Sequence, residues 1–420
     1  MRRIARLERI LGCFLVGMLG LGFSAFSEGL RARAVPAEEP TKARDEASPI
    51  TDLFMTEEIM FTAPPPVDME PPMQCDLNGN IYVVYGDRAP STRGELLLRK
   101  LSPESKSVTV FGREPLQGYA LARRRGFFTD PRGGVYVLVR AFREKPDQQR
   151  RERPDDLIVR YDDDGTLVSV AKLHGVPQGA FDPTLFAVQG NGEFLVTGLL
   201  GPGMGSLPAG PFTAIFDRSG QFVRQIELPK DVSSEPKLPS SDDVGSDSAS
   251  RANGSTQLAD KETGRTPNER PRTEAGSRSW TFAVARGQLV AAPDGNVYLL
   301  RASNPPRVYV ISPTGEVVRE FEIEASTIQG RDPVSMSLAG DRRLFIEFGN
   351  TFNGQPGSGD VANHLLVLTD TESGKVAGVF RMPQQQSGYL VPACATPRGE
   401  FLFIGASLDN HLRVAKFMAR

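Results

Sequence analysis

DLNGNIYVVY, residues 76–85, decides the fold, because the chain repeats the same phrase five more times. It returns as DPRGGVYVLV at Asp130, QGNGEFLVTG at Gln189, APDGNVYLLR at Ala292, GDRRLFIEFG at Gly340 and TPRGEFLFIG at Thr396. Each copy is a polar turn containing glycine, followed by a short run of β-branched, aromatic or aliphatic residues. Gly or Asn in such a turn permits the positive φ that a tight hairpin needs. The apolar run after it has the length and composition of a buried strand.

A second phrase follows each first one: a strand, a polar turn and another strand. It reads LLLRKLSPESKSVTVF from Leu96, LIVRYDDDGTLVSVAKL from Leu157 and TAIFDRSGQFVRQIEL from Thr213. It continues as VYVISPTGEVVREFEI from Val308 and LLVLTDTESGKVAGVFRM from Leu365, while the sixth copy, HLRVAKFMAR from His411, stops short. Each unit therefore holds four strands, one before the glycine turn and three after it. Four antiparallel strands recurring at a period of roughly 45–60 residues predict a propeller, here all-β and six-bladed. A sandwich has no reason to repeat one phrase this often.

The recurring glycine turn, strand and "apolar-apolar-x-apolar-Asp-x-x-Gly" hairpin resembles the NHL-repeat type of six-bladed β-propeller, over roughly residues 70–420 less one insert. The tryptophan-docking repeats of quinoprotein dehydrogenases do not fit, since Trp280 is the single tryptophan. The truncated last unit ends at its third strand. DLFMTEEIMF, from Asp52, precedes the first blade and is expected to supply the missing outer strand, closing the ring and removing two exposed sheet edges.

The chain begins like an export signal. MRRIARLER is basic, an apolar run follows from Ile10 to Phe26, and Ala25 and Ser27 are small where a signal peptidase cuts. The rival reading is an uncleaved anchor, for which 17 apolar residues with four glycines are short. The expected organisation is a signal peptide over 1–27, a disordered leader over 28–50 and the propeller over 51–420. A Ser-, Asp-, Gly- and Pro-rich insert over 230–278, between blades three and four, is too poor in large apolar residues to order itself. The destination is the periplasm or the medium.

Composition narrows the function. With 49 basic and 51 acidic residues the chain has no strong field to attract nucleic acid or an anionic membrane. After cleavage at Ser27, 45 basic and 50 acidic residues remain, with no membrane span. A monomer is expected. The three cysteines make no disulfide scaffold. Cys75 and Cys394 each precede a glycine turn on the innermost strand of neighbouring blades. They lie four and five residues before their turn glycines, and this offset by one points them to different faces, so two buried free cysteines are expected.

His174, His364 and His411 are not at metal-ligand spacing, and no G-x-S-x-G elbow is present. Asp162-Asp163-Asp164-Gly165 lacks the alternating ligands of an EF-hand and reads as a hairpin turn. The loops joining second to third strands, and those joining blades, share one face. They carry the candidate binding residues: Asp87, Arg88, Tyr119, Arg123, Arg124, Arg125, Asp182, Asp332, Tyr389, Asp409 and His411.

Two functions compete. One is an exported, non-catalytic propeller binding a protein or saccharide through this loop face, without a cofactor or metal. The other is a lactonase-like hydrolase, which in gluconolactonase-type propellers holds a central divalent ion with Glu, Asn and Asp from inner strands. Here the inner strands read PMQCDL, RGFFTD, TLFAVQ, QLVAAP, SMSLAG and PACATP, and they supply few such ligands. The residues therefore favour binding over hydrolysis.

Overall fold

The computed structural model describes residues 49–63, 69–85, 97–113, 115–131, 133–144, 154–201, 210–229, 283–284, 287–303, 305–340, 342–350, 364–383 and 390–420. The segments read as signal, leader and insert lie outside these residues, apart from Pro49 and Ile50, as do Asp87, Arg88 and Tyr389.

Nearly every described element is a strand. β1 spans Ile50–Met60. The first meander is β2 (Met69–Cys75), β3 (Ile81–Tyr85), β4 (Leu97–Ser102) and β5 (Ser107–Phe111). The second is β6 (Tyr119–Thr129), β7 (Val135–Arg143), β8 (Asp155–Tyr161) and β9 (Leu167–Lys172). The third is β10 (Phe181–Val188), β11 (Phe194–Leu200), β12 (Gly210–Phe216) and β13 (Phe222–Gln225). The fourth is β14 (Gln288–Ala291), β15 (Val297–Arg301), β16 (Arg307–Ile311) and β17 (Val317–Glu322). Then follow β18 (Arg331–Leu338), β19 (Arg343–Asn350), β20 (Leu365–Asp370) and β21 (Val376–Arg381), and lastly β22 (Leu390–Ala395), β23 (Phe401–Ala406) and β24 (Leu412–Ala419).

The quoted phrase becomes one turn, reused. Asp76 N donates to Asn80 O and Gly79 N to Asp76 O, and the same pair of bonds recurs from Asp130, Gln189, Ala292 and Thr396. The fifth copy differs, with Ala339 N bonded to Arg343 O, so its register is set one residue earlier. In three of its copies the second phrase closes on an aspartate, as read from Asp162. Asp162, Asp217 and Asp370 each accept two backbone N–H bonds, from residues two to four positions further on.

The sheets differ from the expected set of six separate blades. Among the described residues there are four four-stranded sheets and one of eight strands, ordered β18-β19-β20-β21-β1-β24-β23-β22. The cause is the length of β1. Its residues from Leu53 onward pair antiparallel with β24, while Ile50–Asp52 pair parallel with β21, so one strand joins two meanders. Leu53 enters the core on the β21 side, and Ile59 and Phe61 enter the core shared with β2–β5.

The arrangement is propeller-like. The innermost strands meet in a closed cycle, β2 with β6, β6 with β10, β10 with β14, β14 with β18, β18 with β22 and β22 with β2. Buried side chains fill every gap between successive meanders. Stacked sheets meet through opposite faces, and this corrects the expectation for the cysteines. Cys75 and Cys394 are joined in a disulfide, with Cα atoms 6.2 Å apart. Cys75 pairs with Ile81 and Cys394 with Leu402, so they do occupy opposite faces of their own sheets. Ile81 and Val83 nevertheless pack against Leu402 and Ile404, whereas Phe401 and Phe403 point the other way, into the β18–β21 side. The offset taken as evidence of separation is what lets the two side chains meet.

Candidate functional site on the loop face

Tyr119 to Arg125 form the loop-face half of β6, and this stretch is irregular. The pairing with β7 slips between Leu121 and Arg123 and again between Arg124 and Gly126. Such bulges interrupt strict alternation and re-aim side chains. Arg123 is exposed, and Tyr119, Arg124 and Arg125 are half-buried.

Arg125 Nη1 donates to Asp182 Oδ1 at 2.8 Å, crossing from β6 to β10. Arg140 on β7 holds Asp156 of β8 with two bonds, Nε to Oδ1 at 2.8 Å and Nη2 to Oδ2 at 2.9 Å. Its Nη2 also reaches Asp182 Oδ1 at 2.7 Å. Four charged groups from β6, β7, β8 and β10 are thus locked together in charge-assisted bonds, the strong class of hydrogen bond. Burial alone would depress the Arg140 guanidinium, but its bonds to Asp156 and Asp182 outweigh burial and raise it. The Asp182 carboxylate keeps 45% of its side-chain surface open to solvent.

A second cluster flanks the first. Asp155 accepts from Arg143 Nε at 3.0 Å and from Lys172 Nζ at 2.7 Å. Partial burial pushes the Asp155 carboxyl up, and the two cations more than reverse it, leaving it below the usual carboxylate range. Beside these groups lies a recess of about 230 Å³ lined by Asp155, Asp156, His174, Val176 and Phe181, among others. His174 also ties neighbouring sheets together: its N–H donates to Gly220 O, and its carbonyl accepts from Phe222 N.

The remaining sequence candidates are scattered. Asp332 is buried at the start of β18. Asp409 and His411 are exposed in the turn between β23 and β24, where His411 N donates to Ser407 Oγ at 3.1 Å. So Arg125 and Asp182 are joined and Tyr119, Arg123 and Arg124 lie on the same half of β6, while Asp332, Asp409 and His411 belong to other sheets. The sequence reading missed Arg140 and Asp156. Arg140 ends the apolar run VYVLVR and Asp156 directly precedes the apolar residues of DDLIVRY, and a charge at the edge of a buried run was the available signal.

His364 has a buried partner. Its Nδ1 lies 2.7 Å from Glu347 Oε1, and Ser335 Oγ donates to Glu347 Oε2 at 3.0 Å. The hydroxyl serves the carboxylate and not the imidazole, so the three do not form a nucleophile–base relay. Among the described residues no group of three or more His, Cys, Asp and Glu is placed to hold a metal ion. No helix among them is long and apolar enough to cross a membrane.

The fold and this rim define the class: an all-β protein of propeller-like architecture. No protein-family model and no curated protein sequence matches this chain, so the narrower NHL-type resemblance has no family match beside it. Solved structures are similar at low identity. An α-L-arabinanase of Penicillium chrysogenum complexed with arabinobiose is 9% identical, with a TM-score of 0.42, over 87% of this chain and 98% of the other. YCF48 bound to D1 peptide is 11% identical, with a TM-score of 0.38, over 89% of this chain and 98% of the other. A chain of a mitotic checkpoint complex is 10% identical, with a TM-score of 0.39, over 94% of this chain and 100% of the other.

Proposed function

We propose that this chain is an exported, NHL-type propeller that binds an acidic protein surface through its loop face and performs no chemistry. Counting the two meanders joined by β1 separately gives it six blades. The observation that carries the reading is the locked Arg125–Asp182–Arg140–Asp156 network, with exposed Arg123 beside it and Arg143 next to it. Rigid sheets hold loops and strand ends in fixed positions, which lowers the ordering cost of binding. Among the described residues of this rim cations outnumber carboxylates, so an acidic partner is steered toward it.

Arg123 is the residue to change. It is exposed, whereas Arg125 ties down Asp182, so replacing all three arginines would disturb the rim itself. A partner cross-linked to the wild-type protein in its native envelope should be captured much less by Arg123→Glu, with the melting temperature unchanged. Capture should also weaken as salt rises, because exposed charges are screened. Equal capture by Arg123→Glu would overturn the reading. So would stoichiometric calcium with lactonase activity lost on chelation, which would favour the hydrolase.

A further inference from the structure

Residues paired across antiparallel strands stand side by side on one face of the sheet, so each meander presents rows of side chains to its neighbour. In the first meander one row is Gln74, Tyr82, Lys100 and Thr109. It faces the second meander, since Gln74 Nε2 donates to Phe127 O. The equivalent row of the second meander is Phe128, Tyr136, Arg160 and Ser169. It faces the third, where the Phe128 ring centre lies 6.0 Å from that of Phe186.

At the glycine-turn end each of these rows meets the turn between the last two strands of the next meander. The two turns are alike: Gly165 N donates to Asp162 O and Gly220 N to Asp217 O, so Asp163 and Arg218 hold the same place. In the first gap the cation of the row finds a counter-charge there, with Lys100 Nζ 3.9 Å from Asp163 Oδ1. In the second gap the row carries Arg160, and the turn offers Arg218, a second cation. Among the described residues neither guanidinium has a carboxylate partner. Arg218 spends Nε and Nη2 on Asn191 O, and Arg160 lies over the Tyr136 ring, with Cζ 5.8 Å from its centroid. Both open on a cavity of about 540 Å³. Burial pushes the Tyr136 hydroxyl up and both guanidiniums pull it back, which places the two cations around one phenol. Asp130 is the one carboxylate among the described residues of the wall, and its Oδ1 accepts from Gly134 N at 2.9 Å.

We infer that this cavity is a binding site for a small organic anion, a single carboxylate on an apolar body, which takes the place that Asp163 fills in the first gap. Two cations against Asp130 leave one positive charge to balance. The planar guanidinium fork matches a carboxylate, and charge-assisted bonds of this kind are the strong ones. Arg160, Arg218 and Ser169 are exposed, so a ligand reaches all three from solvent. Exposed Leu77 and Pro293 and half-buried Pro131 offer apolar surface in the same wall for the rest of the molecule. The volume lies within the range of roughly 300–1,000 Å³ that small-molecule sites occupy. Inorganic phosphate fits less well, having more charge than the surplus and nothing to lay against Leu77 and the prolines. The cavity lies at the opposite end of the strands from the arginine rim, so the site is separate from the loop face.

The test is calorimetric titration of the whole protein with hexanoate and benzoate, with hexanamide and benzamide as their neutral counterparts, and with inorganic phosphate. At least one of the two carboxylates should bind, with its amide and phosphate at least about ten-fold weaker, the worth of a hydrogen bond to a charged group. Arg218→Asp supplies the internal counter-charge that the first gap has, and should abolish binding. Arg160→Gln should weaken binding at least about ten-fold and leave the melting temperature unchanged, since the Arg160 guanidinium makes no hydrogen bond among the described residues. This second variant decides the matter should Arg218→Asp, which also gives up the bonds to Asn191, fail to fold. Arg123→Glu should bind as wild type does. The proposal fails if neither carboxylate binds, if the amides bind as well as the acids, or if phosphate binds more tightly than both. It also fails if folded Arg218→Asp or Arg160→Gln binds as wild type does.

Discussion

Removing β1 is the sharpest test of how the ring of strands is held shut. Truncation through Pro49 leaves β1 intact, and truncation through Ala63 deletes it. The second deletion takes away three buried side chains, Leu53, Ile59 and Phe61, which serve two different cores. At about 1.5–3 kcal/mol for each, the loss is roughly 4–9 kcal/mol, an upper estimate because the unfolded chain already buries some surface. It also removes the Glu58 carboxylate from Arg413 Nη1, 2.5 Å away on a guanidinium that is otherwise buried. Two strand edges, on β21 and β24, are left open. Whole domains are stable by only about 5–15 kcal/mol, so this loss is most of the margin. Calorimetry should show the Pro49 truncation melting with the full chain. The Ala63 truncation should melt at least about 10 °C lower or show no cooperative transition. Equal melting temperatures for the two would refute the reasoning. Phe61→Ala alone should cost about 3–5 kcal/mol by denaturant titration.

Thiol counting under denaturing, non-reducing conditions should find one thiol in the full chain, Cys13, rising to three on reduction; three without reductant would contradict the bond between Cys75 and Cys394. Gly220→Ala should destabilise by about 2 kcal/mol or more, because Gly220 has φ +90° and a Cβ there meets the Lys172 backbone. A neutral outcome in urea titration would show that the turn relaxes freely. Asp155, Asp217 and Asp370 all sit below the usual carboxylate range, Asp155 against the push of its own burial and the other two chiefly through bonds from Ser219 and Ser373. Depressed folded-state values add stability above about pH 4, and that stability should drain away as pH falls through the folded values. Unfolding free energy that holds constant or rises from pH 5 to pH 2 would count against it.

What the sequence determined is local. The glycine turns, the strand runs after them and the aspartate-closed hairpins were legible because each needs only a few neighbouring residues to specify it. Gly79 closes a turn on Asp76, and Asp217 accepts N–H bonds from Ser219 and Gln221. Repetition of such units then implied the all-β architecture, and a spare strand at Asp52 implied a partner for the short last unit, which β24 supplies. Tertiary structure decided the rest, since it turns on which faces meet. Counting from the turn placed Cys75 and Cys394 on opposite faces and stopped there, yet stacked sheets contact one another through opposite faces, and so the disulfide forms. The same holds for Arg140, an unremarked residue at the end of an apolar run until β8 and β10 bring Asp156 and Asp182 to its guanidinium. A cavity of about 730 Å³ where the inner strands end at the glycine turns is the extreme case, because strands from five meanders build its wall.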